Sequence, residues 1–141
     1  MIGAAKKLSG KGKATGVDIW HADDLSNNTA EAALANAKAE GVADKVKIET
    51  ADATSLPYSD ASFDVVVSGL CLHNIPSEEG RAKAVSEIYR VLKSGGRVAI
   101  FDLFKVSECS ARLRELGASE VTEASQSIGV FPGKLVRAKK A

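Results

Sequence analysis

The sequence predicts an α/β fold, a three-layer sandwich on a mostly parallel sheet. Three observations carry this. Strand-like and helix-like segments alternate along the chain. The segment "FDVVVSGL" (63–70) holds an unbroken run, Val65-Val66-Val67, as expected of a strand buried on both faces. The last two strand-like segments follow one another across a short loop, which favours an antiparallel pair at the C-terminal end.

The elements follow in order. Ile2 to Leu8 has a helical pattern, Gly10 to Gly12 marks a turn, and "KATGVDI" (13–19) is a short apolar strand closed by an acid. "SNNTAEAALANAKAEG" (26–41) is an Ala-rich helix, with Asn28 and Glu31 as an N-cap pair and Gly41 as its stop. "KVKIET" (45–50) alternates Val46, Ile48 and Thr50 with Lys45, Lys47 and Glu49, the pattern of a strand near a sheet edge. "PSEEGRAKAVSEIYRVLKSGG" (76–96) reads as a helix. Ser77 caps it, Glu78 and Glu79 suit its positive end, Val85, Ile88, Val91 and Leu92 form one stripe, and Gly95-Gly96 ends it. "RVAIFDL" (97–103) is a buried strand, and "SECSARLRELG" (107–117) is a shorter helix stopped by Gly117. "SEVTEASQS" (119–127) and "KLVRAKK" (134–140) are the closing pair.

At 141 residues, one domain is the expectation, with length enough to bury ~70% of the unfolded surface. Basic and acidic residues nearly balance, 19 against 18, which argues against a nucleic-acid or membrane surface built on charge. Cys71 and Cys109 lack metal-ligand spacing and fit a reducing cytoplasm better than a disulfide framework. There is no signal-peptide pattern, and the longest apolar run is too short for a membrane span.

In a parallel α/β sheet, ligands sit at the carboxyl ends of the strands. Two acids fall there: Asp18, followed by Ile19 and Trp20, and Asp52, followed by Ala53. A carboxylate after the first strand can accept from both hydroxyls of a ribose, or can simply cap the turn that follows. Asp52 can accept from an exocyclic amine while a neighbouring N–H donates to the ring, which together would recognise an adenine edge. Trp20 or Ile19 would cover the flat face of the base, although packing alone also explains a tryptophan.

Taken together, these pieces resemble the class I S-adenosylmethionine-dependent methyltransferases, in the branch that acts on small molecules. The resemblance runs from about Ile2 to Lys139. It rests on "TGVDIW", "KIETADATSLPYSDASFDVVVSGLCLHNI", "EIYRVLKSGGRVAIFDL" and the closing strand pair. It implies a Rossmann-like three-layer α/β/α sandwich. It implies that Asp18 holds the ribose, that Ile19 and Trp20 flank the adenine, and that Asp52 with Ala53 recognises its edge. Ser68 and Gly69 would line the pocket near the sulfonium, and His73 would face donor and acceptor as a candidate base; Asp64 would be structural. The implied reaction is in-line transfer of the S-adenosylmethionine methyl to a small-molecule or lipid-like acceptor, without a metal. The implied partner is that acceptor; the charge balance and the short apolar runs add the expectation of no nucleic-acid partner and no membrane span.

Two departures stand out. Ser94 replaces the proline usual in "LKPGG". The strand and glycine-rich turn that precede the first helix in the family have no counterpart before Met1. The expectation is therefore a single incomplete domain, 1–141, lacking its first central strand and binding S-adenosylmethionine weakly or not at all. A homodimer would arise if a strand were exchanged to fill the sheet. The alternatives are a non-catalytic module, nucleoside-binding or dimerising, and an NAD-type dehydrogenase, which also uses a ribose-binding acid.

Overall fold

In the computed structural model, residues 1–21 and 28–141 are described. They form two compact units, Met1–Asp52 and Ala53–Ala141.

The first unit contains α1 (Ile2–Lys7), β1 (Ala14–Asp18), α2 (Ala30–Ala39), a single 3-10 turn at Ala43–Lys45, and β2 (Val46–Thr50). β1 and β2 are parallel, in register from Ala14 opposite Val46 to Asp18 opposite Thr50. The core is small: Ala5, Ala37 and Val42 are buried, with Ile2, Ala14 and Val46 against them. Thr29, rather than the expected Asn28, caps α2; its hydroxyl accepts from the Ala32 N–H at 3.1 Å. Residues 26 and 27, where that helix was expected to begin, lie outside the described residues. Its stop is as expected: Gly41 has φ +68°, and the Val42 N–H reaches back to the Ala37 carbonyl at 2.9 Å.

The second unit contains β3 (Phe63–Gly69), a 3-10 turn at Leu72–Asn74, α3 (Glu78–Val91), β4 (Leu92–Asp102), α4 (Val106–Glu115), β5 (Ser119–Ile128) and β6 (Phe131–Lys139). The sheet order is β3-β4-β6-β5, with β3 and β4 parallel and the other two pairings antiparallel. The closing pair is as expected, though its strands are longer and only Gly129 and Val130 separate them. One face of the sheet presents Val98, Ile100, Val136 and Ala138 to Ala84, Val85 and Ile88 of α3 and to Val106, Cys109 and Leu113 of α4.

Two expectations are corrected here. The triple-valine strand is not central in this sheet but lies at its edge. Val66 packs on the core, while Val65 and Val67 are 59% and 60% exposed. Both helices of the unit cover the Val66 face, so the period of two along the strand leaves the neighbouring valines outside. The second correction concerns α3, which ends at Val91, four residues before the glycine pair. Leu92 already faces Phe63 in the sheet, and pairing resumes at Arg97 opposite Val65. Residues 93–96 form an excursion within β4, in which Gly95 takes φ +75°. The Gly95 N–H donates to the Lys140 carbonyl and the Lys140 N–H to that of Gly96, both at 2.9 Å. Lys140 Nζ donates to the carbonyls of Tyr89 and Arg90, satisfying the end of α3 that no glycine cap reaches.

No described helix is long and apolar enough to cross a membrane.

Candidate active site at the strand ends

The predicted site residues fall in both units. Asp18, Ile19, Trp20 and Asp52 belong to the first, and Ala53, Ser68, Gly69 and His73 to the second.

In the first unit, the parallel register brings the ends of β1 and β2 to one edge. Asp18 is the last residue of β1, and its carbonyl accepts from the Ala51 N–H at 3.1 Å, which carries the pairing one step past Thr50. Asp52 is the next residue along. The two acids therefore stand on neighbouring strand ends, as the sequence suggests. Asp18 Oδ1 accepts from the Trp20 N–H at 2.7 Å, so the carboxylate does cap the turn. A carboxylate has about four acceptor positions, so one backbone donor leaves it able to take a sugar diol. Trp20 has φ +59°, an unusual conformation for a bulky residue. Its indole N–H donates across to Thr50 Oγ1 at 2.8 Å, which ties the two strand ends together. Ile19 is 56% exposed and offers an apolar surface at the same edge. This donor and acceptor set fits a nucleoside: carboxylates for hydroxyls and amine, and an apolar side chain for the base.

In the second unit, β3 and β4 likewise end together, with Ser68 opposite Ile100 and Gly69 opposite Phe101. Ser68 is half-buried and Gly69 exposed. Leu72 is buried in the core and anchors the short turn that carries His73. The decisive partner is Asp102, which the sequence reading passed over. It is the last residue of β4 and completely buried. Its carboxylate accepts from the His73 N–H at 3.1 Å, from the Leu103 N–H at 2.8 Å and from His73 Nδ1. The rule that singled out Asp18 and Asp52, an acid closing a strand, applies equally to Asp102 in "RVAIFDL". An ionised carboxylate only accepts, so Nδ1 is the donor in this contact, and in the neutral imidazole Nε2 is then left as an acceptor. That is the tautomer a general base needs. Phe104 stands beside it, ring centroids 6.4 Å apart and edge to face. Gly133 makes room for Asp102: a Cβ there would lie 2.6 Å from the Asp102 carbonyl oxygen.

Two arginines hold the segments around these residues. Buried Arg81 donates to the carbonyls of Ile75 and Pro76, just after His73, and through Nε to Glu108 at 2.8 Å. That bond raises the Arg81 pKa and lowers that of Glu108. Arg90 donates to the carbonyls of Leu56 and Tyr58 and to the carboxylates of Asp60 and Glu87. Glu87 in turn accepts from the Leu56 N–H at 2.8 Å, so the pair clasps the loop after Ala53. The Arg90 bond holds the Glu87 carboxyl below its ordinary range. Asp64 makes a surface ion pair with Lys93 at 2.9 Å. Among the described residues, no cluster of three or more His, Cys, Asp or Glu side chains is placed to hold a metal ion.

Residues 4–100 match the family model described as "Methyltransferase domain". The chain belongs to this family. It is 35% identical over 101 residues to the methyltransferase GfsG of Streptomyces halstedii, covering 72% of this chain and 35% of the relative. It is 39% identical over 107 residues to the 27-O-demethylrifamycin SV methyltransferase of Amycolatopsis mediterranei, covering 72% and 38%. The matches thus take in little more than a third of those relatives' lengths. Among solved structures it is similar to the [4+2]-cyclase SpnF, with TM-score 0.73 and 17% identity, covering 99% of this chain and 70% of that one. It is also similar to a SAM-dependent methyltransferase from Aquifex aeolicus, with TM-score 0.72 and 18% identity, covering 97% and 73%. The fold is accordingly the Rossmann-like α/β fold of these enzymes.

Proposed function

We propose that this methyltransferase domain binds S-adenosylmethionine and transfers its methyl group to a small-molecule or lipid-like acceptor by in-line displacement. The donor, when bound, supplies an electrophilic methyl on a positively charged sulfur. The chain's residues do the rest. Asp18 would accept from the ribose hydroxyls, Ile19 and Trp20 would flank the adenine, and Asp52 with Ala53 would bond its edge. Ser68 and Gly69 would border the methionine end. His73, held by Asp102, would take a proton from the acceptor through Nε2. Positioning and exclusion of water supply most of the rate in such chemistry. Curated relatives named for demethylmenaquinone and 27-O-demethylrifamycin SV fit a small organic acceptor.

The observation that carries this reading is the pair of acids on neighbouring ends of β1 and β2. NMR titration of the chain with S-adenosylmethionine tests it, since weak binding is measurable there. Saturable binding is expected, with shifts at residues 18–20 and 51–53. Asp18→Ala should weaken it roughly 10–100-fold, the loss of charge-assisted hydrogen bonds to the sugar. Unchanged affinity in that variant would remove Asp18 from the site. Binding without methyl transfer to any acceptor would favour the non-catalytic nucleoside-binding reading.

A further inference from the structure

We propose that the exposed ring of Phe104 and the Nε2 edge of His73 form an acceptor subsite that selects a planar, acidic hydroxyl, a phenol or an enol, for O-methylation. This rests on the methyl-transfer reading above and names the acceptor's chemistry.

The first observation is the exposure of Phe104. Its ring is 66% exposed, while the same unit buries Leu72, Ile100, Leu113 and Val136 almost completely. It follows Asp102 by two residues, and Lys105, at φ +61°, then turns the chain into α4. Leu70, the residue after β3, is 37% exposed and adds apolar surface at the carboxyl end of that strand. The ring stands edge to face with His73. A flat ring laid against Phe104 would therefore bring its substituents to the imidazole, and aromatic pairs favour such offset or edge contacts.

The second observation is the contact between His73 Nδ1 and the buried Asp102 carboxylate. With Nδ1 donating to that acceptor, the neutral imidazole offers Nε2 as the nitrogen that can accept an O–H. An imidazole base is matched to a hydroxyl of tyrosine-like acidity, pKa ~10, far better than to a saturated alcohol. In the transfer, Nε2 takes the hydroxyl proton while the oxygen lone pair forms the new bond to the methyl carbon. The carbon–sulfur bond of the sulfonium donor breaks, its electron pair stays on sulfur, and the imidazolium returns the proton to water.

The test needs no donor. 4-Nitrophenol is titrated into the intact chain and followed by absorbance, which separates its neutral and ionised forms. Wild type should bind saturably and shift the bound probe toward the ionised spectrum. Phe104→Ala, an exposed position that the fold does not depend on, should weaken binding ~3–10-fold. His73→Gln should retain binding and lose the ionised spectrum. Cyclohexanol should not compete. The proposal is overturned if 4-nitrophenol does not saturate, if Phe104→Ala binds it as wild type does, or if cyclohexanol competes equally. Because no arm contains S-adenosylmethionine, these failures leave the methyl-transfer reading standing. Failure of the donor titration instead removes that reading while the aromatic subsite survives.

Discussion

Replacing Asp102 by asparagine keeps the shape of the side chain but removes one of its two acceptor oxygens. The carboxylate accepts from three donors, with Leu103 N–H and His73 Nδ1 on Oδ1 and His73 N–H on Oδ2. If the amide oxygen takes the Oδ1 position, the NH2 group confronts the His73 N–H. If it takes the Oδ2 position, the NH2 confronts the Leu103 N–H, and Nδ1 must become an acceptor. Either way one main-chain donor beside a fully buried group loses its partner, at a cost of about 1–3 kcal/mol. With a urea m-value of about 1–3 kcal/mol per molar, the unfolding midpoint should fall by about 1 M. Far-UV circular dichroism in urea measures this, and amide exchange at His73 and Leu103 shows which donor is orphaned. The second orientation also moves the imidazole proton to Nε2, which would abolish the base role proposed for His73, a role worth ~10²–10⁴-fold in such chemistry. A midpoint indistinguishable from wild type, with both amides still protected, would refute the three-donor description of Asp102.

Four further outcomes are expected. Burial pushes the Cys109 thiol from 9.0 up to about 11, whereas Cys71 is exposed. Iodoacetamide at mildly alkaline pH should therefore label only Cys71 in the folded chain. Because the folded value lies above the unfolded one, Cys109 contributes stability that is full below pH 9.0 and lost as pH rises toward about 11. Cys109→Ala should flatten that alkaline loss in thermal melts. Glu87 shows the opposite sign: its carboxyl is held below the ordinary 4.5, first by the Arg90 hydrogen bond, so its contribution is present above that value and lost on acidification through the folded one. Glu87→Gln should be less stable near neutrality and lose less stability on acidification; equal acid sensitivity would show that the clasp carries no charge-dependent stability. Finally, among the described residues the core of the first unit holds Ala5, Ala37 and Val42, against twelve residues in the core of the second. Hydrogen exchange should be faster at 14–18 and 46–50 than at 97–101 and 134–138; the reverse order would refute the core comparison.

Most of the fold is legible in the sequence because local rules and packing agree. Gly41 and Gly117 stop helices where expected, each at positive φ, and Ser77 caps α3 through the Gly80 N–H. The sequence misleads where a local signal has two outcomes. Gly95-Gly96 looks like a helix stop, yet the chain leaves the helix earlier, at Leu92, which is fully buried opposite Phe63 in the sheet. The valine run looks like an interior strand, but apolar content does not say which faces a sheet will cover. In the site, Asp18 and Asp52 were legible by their place after strands. Asp102 closes its strand in the same way and was passed over; what marks it out is its contact with His73, 29 residues earlier, which no local pattern shows. The contact of Phe104 with that histidine joins residues 31 apart in sequence, and nothing in the local pattern announces it.

The order of strands in the larger sheet has a consequence for how this chain is made. β6 lies between β4 and β5, so a strand encoded at 131–139 occupies the sheet's interior. Until those residues leave the ribosome, β4 lacks its neighbour and the apolar side chains of α3 and α4 have no Val136 or Ala138 to close over. The sheet of the second unit cannot be completed before then, which leaves its apolar face open to chaperones or to misassembly. Mutations in this late strand should therefore lower soluble yield in cells more than their effect on purified stability would suggest.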